Sequence, residues 1–326
     1  MKDLLGKRWF LLMLLAGLAL GWLRPQWLRP ATAWLEPRII VAVALFVMAW
    51  SLESRSLFQA LVRPWPALWA WSISYSALPA LAWLVGRLLT EDDLRLGLLI
   101  IACVPCTLAS AVLWTRMAGG NEATALLTVL LTTATSWLIT PAWLAFGARV
   151  SVVIDTPGMM RSLLLVLVVP VGIGQLSRAF GPLARTAARH KRLLGVVSRL
   201  LIFSMILKAV IAVSDRLNER SAPLTLSWIS VAVVLCIGVH LAALGIGLWS
   251  SRVLNFDRAS QIAVGFACSQ KTLPVSLYLF DVYFKQDYPL AVVPLVSYHV
   301  GQLIVDTVIA DLLVKHASAG KIQNLD

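Results

Sequence analysis

Charge is scarce in this chain. Of its 326 residues only 13% are Asp, Glu, Lys or Arg, where a soluble domain carries roughly 25%. Hydrophobic residues make up 59%. This balance excludes a soluble globular protein and leaves an integral membrane protein with little chain to spare for a soluble domain. Acidic residues are scarcer than basic ones, 16 against 28, giving a net charge of +12. The basic residues fall between apolar runs, so they read as topology determinants and membrane-surface contacts, not as a nucleic-acid footprint. Catalytic motifs are lacking as well. There is no H-E-x-x-H and no G-x-S-x-G, and the paired membrane aspartates Asp306 and Asp311 lie on different helix faces. An enzyme is not expected. Cys103 and Cys106 form a C-x-x-C inside an apolar run, with no second pair and no His beside it, so they and Cys236 and Cys268 read as small packing residues.

What the chain has in abundance is apolar sequence. Runs long enough to cross about 30 Å of hydrocarbon fall at 9–23, 38–52, 66–89, 95–117, 122–147, 160–179, 194–214, 224–250, 259–282 and 288–314. The first has the basic flanks of a signal peptide but no small-residue cleavage site, and is expected to remain as a first helix. Lys and Arg are denser on the side of the N-terminus, through Lys2, Lys7, Arg8 and the loop from Arg178 to Arg199. The other side mixes its basic residues with Glu91-Asp92-Asp93. The positive-inside rule then puts both termini in the cytoplasm of a multi-pass protein of the cell's inner (plasma) membrane.

Two short stretches repeat each other about half the chain apart. Ala102–Leu108 and Ala267–Leu273 both read A-C-x-x-x-T-L, each in the fourth run of its half. The expected fold is therefore all-α, ten transmembrane helices in two five-helix repeats, 1–157 and 158–326. Because five is odd, the second repeat is inverted, the arrangement of alternating-access transporters. Pro105 interrupts the fourth run, and Gln270-Lys271 followed by Pro274 interrupts the ninth. Broken backbone is tolerated in a membrane only where protein or a water-filled cavity surrounds it. Two breaks crossing at mid-depth would gather freed carbonyls and half-helix ends with Thr107, Ser110, Ser269, Gln270, Lys271 and Thr272.

Lys271 is the sharpest residue, because an uncompensated ammonium at helix centre costs roughly 2.5–3.5 kcal/mol even on the lenient insertion scale. His299, Gln302 and Asp306 share one face of the tenth run, where His299 and Asp306 offer a proton relay or a partner for Lys271, or the three form a polar seam locking the helix to its bundle. Thr128, Thr132 and Thr135 share a face of the fifth, as helix glue or as neutral oxygen ligands. His240 and Glu122 read as structural, and Lys208 lies close enough to Asp215 to pair locally.

Pro105–Ser110, Gly120-Asn121-Glu122-Ala123 with the hydroxyl-rich run to Thr140-Pro141, Ser269–Leu273 and Tyr298-His299-x-x-Gln302 together resemble the bile acid:sodium symporter superfamily. The last two motifs are more similar to its orphan branch, the seventh member of solute carrier family 10 and bacterial homologues. The resemblance implies a panel domain of helices 1, 2, 6 and 7 and a core domain of helices 3–5 and 8–10, with helices 4 and 9 unwound and crossed. It also places Asn121 among the site residues. The departures are informative. Sodium-coupled members carry Pro-Gly-Gly where this chain has Pro105-Cys106-Thr107, Asn where it has Ala111, Glu where it has Phe266 and Asn where it has Lys271. Ser110, Thr132 and Gln270 are the residues left to touch a sodium ion.

The chain is therefore expected to be a secondary transporter of a small organic, anionic solute, with the departures arguing against sodium coupling. Two alternatives stay open: an ordinary sodium:solute symporter, and a non-transporting regulatory or scaffolding membrane protein. No cofactor is expected beyond a sodium ion or proton as coupling ion. The partners are the lipid bilayer and the solute, not nucleic acid.

Overall fold

The computed structural model describes residues 13, 16–17, 19–21, 23–32, 34–52, 60–147, 155–219 and 226–322. The expected first span, 9–23, falls largely outside the described residues. Among those described, every regular element is helical. The order is α1 (Pro25–Thr32), α2 (Pro37–Ser51), α3 (Trp65–Tyr75), α4 (Ala77–Gly86), α5 (Asp92–Cys103), α6 (Ser110–Met117) and α7 (Glu122–Gly147). Then follow α8 (Thr156–Leu163), α9 (Val169–Ser177), α10 (Gly181–Arg189), α11 (Lys191–Glu219) and α12 (Leu226–Val253). The chain closes with α13 (Arg258–Ser269), α14 (Leu273–Leu279) and α15 (Val292–Ile322). A π-helical turn, Leu164–Val168, joins α8 to α9, and another, Phe280–Phe284, extends α14.

Several boundaries follow from short polar signals. Asp155 starts α8 by accepting from the Gly158 N–H at 3.0 Å, with Pro157 in the first turn where its missing donor is harmless. Asp257 caps α13, accepting from the Ser260 N–H at 3.0 Å. Asn121 caps α7, its Oδ1 accepting from the Ala123 and Thr124 N–H groups at 3.0 and 3.2 Å.

Among the described residues, five helical stretches are long and apolar enough to cross a membrane: Trp65–Gly86, Glu122–Gly147, Thr156–Ser177, Trp228–Val253 and Pro289–Val314. The fourth and ninth apolar runs are not among them, because each is cut in two, into α5 and α6 and into α13 and α14. The third run carries a milder kink at Ser76, where α3 gives way to α4. Pro79 lies one turn on and cannot donate to the Tyr75 carbonyl. The Trp143 indole N–H takes that acceptor instead, at 2.7 Å.

The helices pack in two groups. In one, α9 and α11 lie against α2. In the other, α13 lies between α12 and α3, α15 packs on α12 and α5, and α7 covers α3 and α5. The second group holds the two broken runs. A close backbone approach lies at Gly97, where an added Cβ would run into the Ala291 carbonyl oxygen. Gly97→Ala gains about 1 kcal/mol of helix propensity but forces backbone against backbone, at a cost of about 1–3 kcal/mol or more for overpacking. The net expectation is a lowered melting temperature in detergent. A variant melting at or above the parent would refute the close approach.

Candidate functional site

Val104 is extended (ψ 161°), as the residue before a proline prefers, and the next helix begins at Ser110. In the second copy α13 stops at Ser269, Gln270 is extended (ψ 136°), and α14 begins at Leu273 with Pro274 in its first turn. The two linkers touch through main chain: the Thr272 N–H donates to the Pro105 carbonyl at 3.1 Å. Side chains join them as well, since the Ser110 hydroxyl donates to Gln270 Oε1 at 2.7 Å and its oxygen meets Thr107 Oγ1 at 3.1 Å.

Buried backbone polar groups must find partners, and here they come from neighbouring helices. The Cys106 N–H donates to Thr132 Oγ1 at 3.2 Å, and Thr140 Oγ1 donates to the Cys103 carbonyl at 2.7 Å. In the second linker the Gln302 carboxamide grips one residue from both sides. Its Oε1 accepts from the Lys271 N–H at 3.0 Å and its Nε2 donates to the Lys271 carbonyl at 2.9 Å. The same Nε2 meets His299 Nδ1 at 2.9 Å, so that ring nitrogen accepts. The Tyr298 hydroxyl donates to the Ser269 carbonyl at 2.8 Å.

Lys271 is fully buried. Its ammonium spends its three donors on the Val104 carbonyl at 2.9 Å, the Ser74 carbonyl at 2.8 Å and Ser74 Oγ at 2.9 Å. It lies 5.2 Å from the centre of the Tyr75 ring, within range of a cation–π attraction. The cation thus sits where the C-terminal end of α5 and the kink between α3 and α4 present carbonyl oxygens, and a helix C-terminus attracts positive charge.

Asp306 does not serve Lys271. Its Oδ1 meets His240 Nε2 at 2.8 Å and its Oδ2 accepts from Gln270 Nε2 at 2.5 Å, with both Asp306 and His240 fully buried. His240, read from sequence as structural, stands within the site. The signal that identifies it was available, since an ionisable side chain deep in an apolar helix is a functional candidate by default. Ser74 had no such signal, because only the kink at Ser76 aims its carbonyl inward.

Pro105, Thr107, Ser110, Ser269, Gln270, Lys271, Thr272, Gln302 and Asp306 thus meet at or beside the touching linkers, and His299 reaches them through Gln302. Thr132 joins through Cys106. Asn121 and Thr128 stand elsewhere: Asn121 is the cap of α7, and Thr128 donates to the Thr124 carbonyl at 2.9 Å and toward the Ala67 carbonyl at 3.4 Å on α3. Lys208 donates to the Leu35 carbonyl at 2.7 Å.

Comparison with known proteins places the chain in a family of transporters. The family model described as the SBF-like CPA transporter family matches residues 8–315. "Sodium/bile acid cotransporter 7" of Danio rerio is 25% identical over 277 residues, covering 83% of this chain and 82% of that protein. "Probable sodium/metabolite cotransporter BASS4, chloroplastic" of Arabidopsis thaliana is 28% identical over 318 residues, covering 93% of this chain and 72% of that protein. The Mus musculus cotransporter 7 is 26% identical over 279 residues, 83% of this chain and 81% of that protein. These relatives are named as cotransporters and not as enzymes. The chain is a multi-pass membrane protein belonging to the SBF-like CPA transporter family, within the bile acid:sodium symporter superfamily.

Proposed function

We infer that the protein is a secondary transporter of a small organic anion, and that Lys271 supplies the positive charge that a bound sodium ion brings to sodium-coupled relatives. The observation that carries this is the placement of the Lys271 ammonium on the Val104 and Ser74 carbonyls. Hard carbonyl oxygens beside a broken helix are the ligands sodium would seek. An ammonium already in contact with them competes for the same oxygens and repels a second cation. Phe266 and Ala111, both buried, contribute no oxygen where Glu and Asn would. The retained charge favours an anion beside the linkers, and the partly exposed Ser110 and exposed Ala109 offer an approach to them.

In this reading the chain forms ten transmembrane helices in two inverted repeats, 1–157 and 158–326, with both termini on the cytoplasmic side of the inner (plasma) membrane. The group of α2, α9 and α11 corresponds to the panel, and the group holding the broken helices corresponds to the core. Alternating access then moves one against the other.

The test is a sodium titration. A panel of small carboxylates, sulfonates and phosphate esters is screened by thermal shift in sodium-free buffer, and affinity for each binder is followed as sodium replaces choline. Affinity should stay flat. A steep, saturable rise with sodium would restore ordinary sodium symport and remove the role given to Lys271.

A further inference from the structure

The contacts of His240 fix the protons around it. At one end of the ring, Nδ1 faces the Ser269 carbonyl at 3.3 Å, an oxygen that can only accept and that already accepts from Tyr298. At the other end, Nε2 faces Asp306 Oδ1 at 2.8 Å. A neutral imidazole has one N–H. If it points at Ser269, the contact with Asp306 needs a second proton, held as imidazolium–carboxylate or as imidazole–carboxylic acid. If it points at Asp306, the bare Nδ1 confronts a carbonyl lone pair. The arrangement that satisfies both ends holds one proton more than a neutral histidine and a carboxylate.

We propose that Asp306 and His240 form a proton-binding site whose occupancy sets the charge of the broken-helix crossing, so that a proton and an organic anion occupy the protein together. With the proton bound the pair is neutral, and Lys271 leaves the crossing at +1. With the proton lost the pair carries −1 and the crossing is neutral. The protonated state therefore binds an anion more strongly, and by linkage a bound anion raises the affinity of the pair for the proton. Gln270 connects the two events. Its Nε2 donates to Asp306 Oδ2 at 2.5 Å, and its Oε1 accepts at 2.7 Å from Ser110, which is partly exposed.

Other titratable and charged groups around α15 leave this role to the pair, His299 on α15 itself being engaged through Nδ1 by Gln302. Cys106 on the first linker and Cys268 on α13 are buried, and Tyr298 on α15 itself donates to the Ser269 carbonyl. Lys271 stands on the second linker, committed to its three acceptors. Asp93 on α5 accepts from the Leu290 N–H at 2.8 Å, Arg116 on α6 is exposed and pairs with Glu122, and Tyr278 on α14 bonds Ser162. Lys208 on α11 is held by the Leu35 carbonyl.

This proposal rests on the transport reading above, so its test has one arm without solute. The purified full chain, labelled with ¹⁵N-histidine, is titrated with pH, and Nε2 of His240 is assigned through His240→Gln. A His240 resonance that titrates, and whose midpoint moves in Asp306→Asn, supports the site. A resonance that does not move between acid and alkaline pH overturns it. In the second arm, proteoliposomes in sodium-free buffer take up the binder found in the anion panel, with and without an alkaline interior at zero membrane potential. The ratio of the two uptakes should exceed one in the unmodified protein and fall to one in Asp306→Asn and His240→Gln, while Thr186→Ala on exposed α10 keeps the parental ratio. A ratio of one in the unmodified protein sinks the proposal and leaves the transporter standing. No uptake of any panel anion beside a titrating His240 removes the transporter and leaves the proton site.

Discussion

Lys271→Met should abolish solute uptake and lower thermal stability together. Methionine fills much of the volume of the lysine stem, so the change isolates the ammonium. Its removal leaves the Val104 carbonyl and both Ser74 oxygens without their donor in a place closed to water. Each buried acceptor left unsatisfied costs about 1–3 kcal/mol. Ser74 Oγ can turn to another partner, so the expected loss is about 2–6 kcal/mol, a large part of a typical stability of about 5–15 kcal/mol. The two effects separate by temperature. Protein purified and reconstituted in the cold, and shown monodisperse, should still give uptake at the level of empty liposomes, because the fixed charge at the crossing is gone. Parental uptake in that folded fraction would reduce Lys271 to a structural brace.

Gln302→Leu should be nearly as severe, for a different reason. The carboxamide satisfies both the N–H and the carbonyl of Lys271 as well as His299 Nδ1. Leucine satisfies none of these, and two orphaned backbone groups alone amount to about 2–6 kcal/mol. The conservative Gln302→Glu keeps an acceptor for the N–H but loses the donor to the carbonyl, so it should fall between parent and Leu. Melting temperatures in that order would establish the clamp. Equal melting of Gln302→Leu and the parent would mean that the linker finds other partners.

Much of this site was legible in the sequence, for reasons that differ from residue to residue. Pro105 and Pro274 remove donors wherever they stand, so the breaks in the fourth and ninth runs could be read directly. Lys271 announced itself through its cost in hydrocarbon. Its partners did not, because carbonyls carry no sequence signature and Ser74 reaches it only through the kink at Ser76. Pro79 stood in that third run as a warning, yet the run reads as one continuous span. The partner of Asp306 was likewise hidden. Charge alone pointed to Lys271, whereas the packing of α15 on α12 brings His240. Asn121 belongs to a motif that resembles a site, and its side chain closes a helix end. The π-helical turns at Leu164–Val168 and Phe280–Phe284 left no mark in the apolar pattern.

The main-chain bond from Thr272 to Pro105 has a mechanical consequence. Segments without regular structure are ordinarily the compliant parts of a protein, but these two are riveted to one another. That bond, the lysine anchored on Val104 and the contact of Ser110 with Gln270 load them as one piece. A push on α13 is delivered to α5 without slack. Displacement has to be absorbed elsewhere, along the seam where α8 meets α7 and where α2 and α11 touch α14, a boundary bridged by Ser162 and Tyr278. The irregular centre of this bundle is thus tied together, and the joint that remains runs between two regular surfaces.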